Sequence, residues 1–247
     1  MTPSVTSRRH VIADDIRNKI SIGRIKAGAC LPSEAQLASR YGVSTATLRS
    51  ALSVLQGEGV VEKIHGKGNF VRHPLRRITY IGGGHTLRTE CSAESALRVG
   101  VRTTNLQAHG QLACLLGVSA SSPLTEFLCL THEGNSPHSL ARIYVPRDLS
   151  PTDVPAESHC CKSAEAKLAE LRPPLAEVRE RVCARPPTPE EAATLRISST
   201  LSVLAITRVA ADRTGQVVEA ALLVLPGDRA DAFFTTHHMT DERTNGG

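Results

Sequence analysis

Apolar residues in the first part of the chain recur three or four positions apart, the period of an amphipathic α-helix. The pattern predicts helices over residues 8–21 and 34–41, and a third from Thr45 to Leu55. Ser33 and Gln36 have the spacing of a capping box, and Ser44 is placed to cap the third helix. Gly42 can adopt the left-handed conformation that ends the second helix. We therefore expect two short helices joined by a tight turn behind a longer first helix.

A β-hairpin is predicted directly after the third helix. Residues 60–61 and 69–71 have the apolar pattern of strands, and Gly66-Lys67-Gly68 between them is typical of a hairpin tip. Pro74 cannot donate to a strand ladder, so the hairpin should end there. A helix–turn–helix followed by a hairpin is a winged helix-turn-helix.

The predicted third helix and hairpin tip carry side chains suited to DNA. Hydroxyl groups and one Arg occupy the solvent side of the helix start, and hydroxyls bond phosphates or base edges while Arg binds guanine through two hydrogen bonds. A thin basic hairpin tip can approach a minor groove or phosphates without steric hindrance. The candidate DNA-binding residues of these two elements are Ser44, Thr45, Thr47 and Arg49, and His65, Gly66, Lys67 and Gly68.

Charge is distributed unevenly over the 247 residues. Residues 1–77 hold 13 Lys and Arg against 5 Asp and Glu, whereas residues 78–247 hold 16 against 19. A basic module joined to a mildly acidic remainder fits one domain that binds a polyanion and a second that does not.

The remaining sequence alternates strand and helix patterns, which predicts an α+β fold built on an antiparallel sheet. Strand patterns cover residues 124–132, 138–145, 201–212 and 217–225, and helical patterns cover residues 111–116 and 163–171. Thr188-Pro189 opens a further helix. We expect a winged domain over residues 8–74, a linker over residues 75–104, and an effector-binding and dimerisation domain over residues 105–240.

Several function classes are disfavoured by composition. No apolar run approaches the ~18 residues that a membrane helix needs, and no apolar region follows the basic N-terminus, so we expect a cytoplasmic protein without membrane contact. The 7 Cys lack the spacing of a metal site, and neither His159-Cys160-Cys161 nor His237-His238 is part of a four-ligand pattern. No metal, cofactor or catalytic residue is predicted.

The run LPSEAQLASRYGVSTATLRSALSVLQGEGVVEKIHGKGNFV resembles the DNA-binding domain of the GntR superfamily of bacterial transcription regulators, and the resemblance extends over residues 11–71. It implies DNA contacts at the Pro-Ser-Glu helix start, with Ser33 and Glu34 in the interface. Family members usually have Arg at the positions of Ala35 and Thr45, and both arginines commonly touch DNA. These two departures imply an operator sequence that differs from the usual one.

The second half resembles the UTRA effector-binding domain of the HutC subfamily, whose fold is similar to chorismate lyase. The segments GNSPHSLARIYVP and residues 188–234 carry this resemblance. It implies effector-binding roles for Thr131, Arg142, Ser163, Arg208 and Glu219. Cys129 and Thr131 replace the arginines with which family members hold an anionic group. A cross-strand ion pair is the alternative role of Arg208 and Glu219.

These observations favour a homodimeric repressor that binds double-stranded DNA at a palindromic operator and responds to an unknown small-molecule effector. Three alternatives stay open at this point. The chain could be an effector-independent repressor of plasmid transfer or maintenance genes, or an architectural DNA-binding protein. It could also be an enzyme with a lyase-like fold, although fold alone does not carry function.

Overall fold

The computed structural model describes residues 7–73, 77–82, 88–90, 97–134, 136–151, 154, 156–158 and 173–235. The predicted helix over residues 163–171, and Ser163 with it, lies outside the described residues. Two units follow one another: a winged helix-turn-helix and a sheet-rich α+β domain.

Three helices form the core of the first unit: α1 (Arg8–Ser21), α2 (Glu34–Tyr41) and α3 (Thr45–Gly57). Leu48, Ala51, Leu52 and Leu55 of α3 are fully or almost fully buried, as its apolar stripe predicts. Tyr41 donates a hydrogen bond to Asp15 at 2.6 Å and ties the end of α2 to α1. Gly42 ends α2 at φ +60°, which confirms the predicted left-handed position.

The wing is an antiparallel hairpin of β1 (Val61–Ile64) and β2 (Gly68–Val71). The predicted strand pair is confirmed, with β1 starting one residue later than expected. Val61 and Val71 lie opposite each other in the register and both pack into the core of the helices. This packing fixes the wing to the side of α3.

A seven-stranded antiparallel sheet forms the second unit. Two pairs of consecutive long strands are joined as hairpins, and two short helices, α4 (Gly110–Leu116) and α5 (Pro189–Leu195), pack on the sheet. The strands are β5 (Leu97–Gln107), β6 (Pro123–Glu133), β7 (Ser136–Pro146), β8 (Glu157–Ser158), β9 (Leu175–Arg185), β10 (Val203–Asp212) and β11 (Val217–Pro226). Their order in the sheet is β8-β5-β6-β7-β11-β10-β9.

A second, three-stranded sheet covers one face of the large sheet. It contains β3 (Ile78–Gly82), β4 (Arg88–Glu90) and β12 (Ala230–Phe234), and β12 pairs with β3 in parallel. Ile78 and Tyr80 are completely buried against the large sheet. We call this covered side the inner face, and the side that carries α4 and α5 the outer face.

The segment expected as a linker, residues 75–104, contains ordered strands. Residues 78–82 form β3, and residues 97–104 are the greater part of β5, which pairs with β6 from Leu97–Glu133 to Gln107–Pro123. The sequence pattern predicts strands over residues 78–81 and 105–109 and none over residues 97–104. Alternate residues Leu97, Val99 and Val101 are buried, so burial of one face explains why the strand extends so far back.

Among the described residues, no helix combines the length and apolar character needed to cross a membrane.

Candidate DNA-binding surface and effector site

The two helix starts predicted to face DNA are capped and exposed. Ser33 Oγ accepts from the backbone N–H of Gln36 at 3.3 Å, and Gln36 Oε1 accepts from the N–H of Ser33 at 3.0 Å. Ser44 Oγ accepts from the N–H of Thr47 at 3.2 Å. Both predicted caps are therefore confirmed. Each leaves an exposed helix N-terminus, where N–H groups and the helix dipole favour a negatively charged group.

Glu34 connects three of the segments predicted to bind DNA. Its carboxylate accepts a hydrogen bond from Arg49 Nε at 2.5 Å, and Lys63 Nζ lies 3.5 Å from its other oxygen. The hydrogen bond from Arg49, together with the charge of Lys63, holds the pKa of Glu34 below its usual value. The carboxylate thus joins the start of α2, the first turns of α3 and strand β1 of the wing.

Arg49 combines this anchor with wide exposure. Its side chain is 68% exposed, whereas that of Glu34 is 22% exposed. The Nε atom is bound to Glu34, so the Nη atoms form the free end of the guanidinium fork. Thr45 is exposed beside it and Thr47 is half-buried. The predicted side chains of α3 therefore occupy one surface, with one cation held in a defined direction.

The wing tip is exposed from His65 to Gly68. Gly66 and Gly68 have φ values of +74° and +114°, which favour glycine, and the N–H of Lys67 bonds Ile64 O at 3.0 Å to close the turn. The hairpin tip thus presents Lys67 at its end with no bulky neighbour on either side.

Three of the predicted effector residues share the inner face of the large sheet. Thr131 is on β6, and Arg208 and Glu219 are on β10 and β11, at positions that alternate toward β3 and β12. Arg208 is completely buried and Glu219 is 4% exposed. The sheet thus brings these three residues to one side. Thr131 lies on β6, apart from Arg208 and Glu219 on the neighbouring strands β10 and β11.

Arg208 belongs to a buried network of charges. Its Nη1 donates to Glu219 at 2.7 Å, and its Nε lies 3.7 Å from Glu180 Oε1 on β9. Tyr80 of β3 donates to that same oxygen at 2.7 Å. Burial and the nearby Glu180 carboxylate raise the pKa of Tyr80 well above its usual value. The network joins both sheets through the core.

Arg142 lies on the outer face, away from the other three. Its guanidinium donates to Glu126 on β6 at 3.0 Å and also to Glu190 at the start of α5. A β-strand alternates its side chains, and Ser139, Ala141 and Ile143 of β7 face inward, so Arg142 faces outward. Arg142 is therefore not brought together with the other predicted effector residues.

The sequence patterns did not predict two pairs of interacting residues, Glu180 with Tyr80 and Arg72 with Asp228. Glu180 is opposite Arg208 in the register of β9 and β10. The sequence signal for its inward position was a single acidic residue between Arg179 and Arg181 on a strand whose side chains alternate between faces. Arg72 follows β2 and binds Asp228, more than 150 positions later, at 2.7 Å. Local patterns carry no signal for such a pair.

Within the described residues, no three His, Cys, Asp or Glu side chains come together as a metal site. Cys160, Cys161, His159 and the His237-His238 pair lie outside the described residues.

Comparison with known proteins agrees with this architecture. Residues 8–71 match the bacterial regulatory proteins of the gntR family, and residues 100–231, more than half of the chain, match the UTRA domain. The transcriptional repressor NagR of Bacillus subtilis is 27% identical over 232 residues, which cover 92% of this chain and 93% of NagR. An HTH-type transcriptional regulator of Rhizobium meliloti is 28% identical over 221 residues, covering 88% and 90%.

The crystal structure of PhnF from Mycobacterium smegmatis has the same fold, with a TM-score of 0.54, 19% identity, and coverage of 92% of this chain and 100% of PhnF. The relatives compared are transcription regulators and not enzymes. This chain belongs to the GntR family of bacterial transcription regulators and joins a winged helix-turn-helix domain to a UTRA domain.

Proposed function

We propose that this chain is a repressor that binds a palindromic operator as a homodimer, in the cytoplasm, through α2, α3 and the wing. The observation that carries the proposal is the arrangement of Arg49, Lys63 and Glu34, in which one carboxylate orients an exposed guanidinium at the start of α3. A guanidinium fixed in this way suits a base edge in the major groove.

The contacts divide into two classes. The first class binds phosphates and sugars and so positions the domain. Its proposed members are Ser33, Ser44, Thr45, Thr47 and the wing tip from His65 to Gly68. Arg49 is proposed to contact a base, with Glu34 aligning it. Two such domains, one in each protomer, would occupy half-sites about one DNA turn apart.

Selection of bound sequences from a random DNA pool by the full-length protein, at roughly physiological salt, tests this proposal. An enriched palindrome supports a dimeric, sequence-specific regulator, and sedimentation of the complex would give two protomers per site. Binding that enriches no sequence and disappears as salt rises would contradict it, because contacts to the backbone alone behave in that way.

We further propose that an effector binds on the inner face near Thr131 and shifts the balance between two dimer geometries. A ligand shifts such a balance only if its affinities for the two forms differ. Neutral sugars, sugar phosphates and dicarboxylates, added singly to the operator complex, test this part. A compound that releases DNA from the wild type and not from Thr131→Val supports the proposed site.

One observation favours an effector-independent repressor as the second candidate. Arg208 and Glu219 bind each other in a buried network with Glu180, so their charges are already compensated. An anionic effector would have to displace Glu219 from Arg208. If none of the compounds changes the operator affinity or the melting temperature of the wild type, the effector-independent candidate replaces the ligand-responsive one.

A further inference from the structure

An ion pair joins the winged domain to the UTRA domain. Arg72, directly after wing strand β2, donates through Nη1 to Asp228 Oδ2 at 2.7 Å, and Asp228 lies in the loop between β11 and β12. The two side chains are only 8% and 15% exposed. Charged side chains so far removed from water are held in place, because each depends on the other for compensation.

Gly59 lets the two domains approach this closely. A Cβ atom at position 59 would lie 2.3 Å from Asp228 Oδ2 and 2.9 Å from Arg72 Nη1, and the residue has φ +73°. Both the left-handed backbone and the lack of a side chain are therefore required beside the ion pair. The close contact is built into the backbone and not only into two long side chains.

Both partners are mounted on rigid structure. The N–H of Arg72 bonds Val60 O at 3.0 Å, which holds it to the segment leaving α3. On the other side, the N–H of Gly227 bonds Ser202 O at 2.9 Å, and Arg229 Nη2 bonds Pro137 O at 3.1 Å. A movement of the β11–β12 loop is thereby transmitted to the base of the wing.

The rest of the junction is sparse. A second close approach brings Gly57, the last residue of α3, to the turn at Thr200, where an added Cβ would lie 3.0 Å from Oγ1. Between β1 and α5 lies a half-open cavity of about 450 Å³, lined by residues of both domains that include Gln56, Lys63, Ala192 and Arg196. With a gap of this size, few contacts fix the angle between the domains.

The ion pair leaves the DNA-binding surface uncovered. Ser44, Thr45, Arg49 and the wing tip are exposed while Arg72 and Asp228 are joined. The contact therefore orients α3 and the wing without blocking them. We infer that Arg72 and Asp228 are positioning residues, which hold each winged domain at the angle that lets a dimer engage both halves of its operator.

Neighbouring charges make Asp228 the sensitive member of the pair. Burial and the adjacent Arg72 lower the pKa of Arg229 to about 10, so two guanidinium groups lie close to this one carboxylate. Removal of the carboxylate leaves Arg72 beside Arg229 with their mutual repulsion offset by the charges of Glu62 and Glu133 alone among the groups that act on Arg229, which loosens the junction. Arg72 of the winged domain then lacks the Asp228 carboxylate that binds it to the UTRA domain.

The inference rests on the proposed dimeric operator complex and predicts a particular affinity pattern. Asp228→Asn in the full-length protein should bind the selected palindrome about tenfold more weakly and a single half-site as well as wild type does. Loosened domains lower the effective concentration for the second half-site, whereas each domain's own contacts stay intact. Glu177→Gln, which removes a carboxylate from the exposed Arg179–Glu177 pair, is the matched control and should change neither affinity.

Hydrogen exchange measures positioning independently of DNA. In Asp228→Asn, the amides of Arg72 and Gly227 should exchange faster, while amides in the interior of each domain exchange as in the wild type. Equal exchange in the variant and the wild type would overturn the inference, as would equal losses on palindrome and half-site. A wild type that shows no preference for a palindrome would instead overturn the proposed function, and the exchange result would then decide the inference alone.

Discussion

Arg49 Nε lies 2.5 Å from Glu34 Oε2, so the guanidinium at the start of α3 is oriented by a carboxylate at the start of α2. The same carboxylate lies 3.5 Å from Lys63 of the wing. The direction of the Arg49 side chain therefore depends on α2, α3 and the wing together. Substitutions of Arg49 and of Glu34 should affect DNA binding in different ways.

Arg49→Ala should weaken operator binding by roughly 1–3 kcal/mol and relax the preference at one base pair of each half-site, because a lost base contact acts locally. Fluorescence anisotropy titrations with the operator and its single-base variants measure both effects. Arg213→Ala, at the exposed turn between β10 and β11, removes a cation from the other domain and should have no effect. An unchanged dissociation constant for Arg49→Ala would remove Arg49 from the interface.

Glu34→Gln should raise the affinity for non-operator DNA and lower the preference of the protein for its operator. Loss of the negative charge strengthens binding to non-operator DNA, since a repulsion from phosphates disappears. Loss of the anchor lets the Arg49 side chain move, so discrimination between bases should fall about tenfold. Titrations against operator and random DNA measure the ratio of the two affinities. A variant with the wild-type ratio would show that Glu34 does not align Arg49.

Lys67→Ala should weaken binding equally for operator and non-operator DNA. The slope of log affinity against log salt should become shallower by about 1, because one fewer counterion is released. Affinities at four or five salt concentrations give the slope. A steeper or identical slope would place the wing tip away from the phosphates.

Glu219→Ala should destabilise the protein by about 3–5 kcal/mol, because it leaves the fully buried Arg208 without its 2.7 Å partner. Arg208→Met combined with Glu219→Leu and Glu180→Gln should recover most of that loss, since no buried charge is then left uncompensated and the amide at position 180 can still accept from Tyr80. Urea denaturation measures both. Arg142→Met, at a more exposed pair, is the control and should cost much less. Equal costs at the two sites would show that burial does not set the value.

Acid should destabilise the protein through His138. This side chain is 1% exposed, and burial lowers its pKa to about 4 from 6.5. Between these two pH values the unfolded chain binds a proton that the folded chain does not, so stability falls as pH falls, by about 3 kcal/mol in total. Denaturation of His138→Phe from pH 7 to 4 should lack this component. An identical pH profile would contradict the assignment, and His109→Gln, at an exposed position, should keep it.

The winged domain could be predicted from its sequence because local interactions determine its elements. The capping box of Ser33 and Gln36, the cap at Ser44, the left-handed Gly42 and the glycines of the wing tip each act within a few residues. The cap at Thr188 before α5 was found for the same reason.

The effector site could be predicted only in part, because it depends on register between distant strands. Thr131 and Arg142 face opposite sides of the sheet, and a register shift between Thr131 and His132 helps decide this. A shift of one residue reverses the face of every side chain beyond it. The contact of β3 with β12 joins segments far apart in the chain and has no local signature.

The parallel pairing of β3 and β12 also bears on the order in which the protein is made. The winged domain is built from neighbouring segments, and can fold while the ribosome is still synthesising the second domain. Ile78 and Tyr80 emerge early, yet their strand partner is translated only after β11. A nascent chain would therefore acquire a DNA-binding module well before the large sheet is complete, and Ile78 and Tyr80 lack the strand that pairs with β3 throughout that interval.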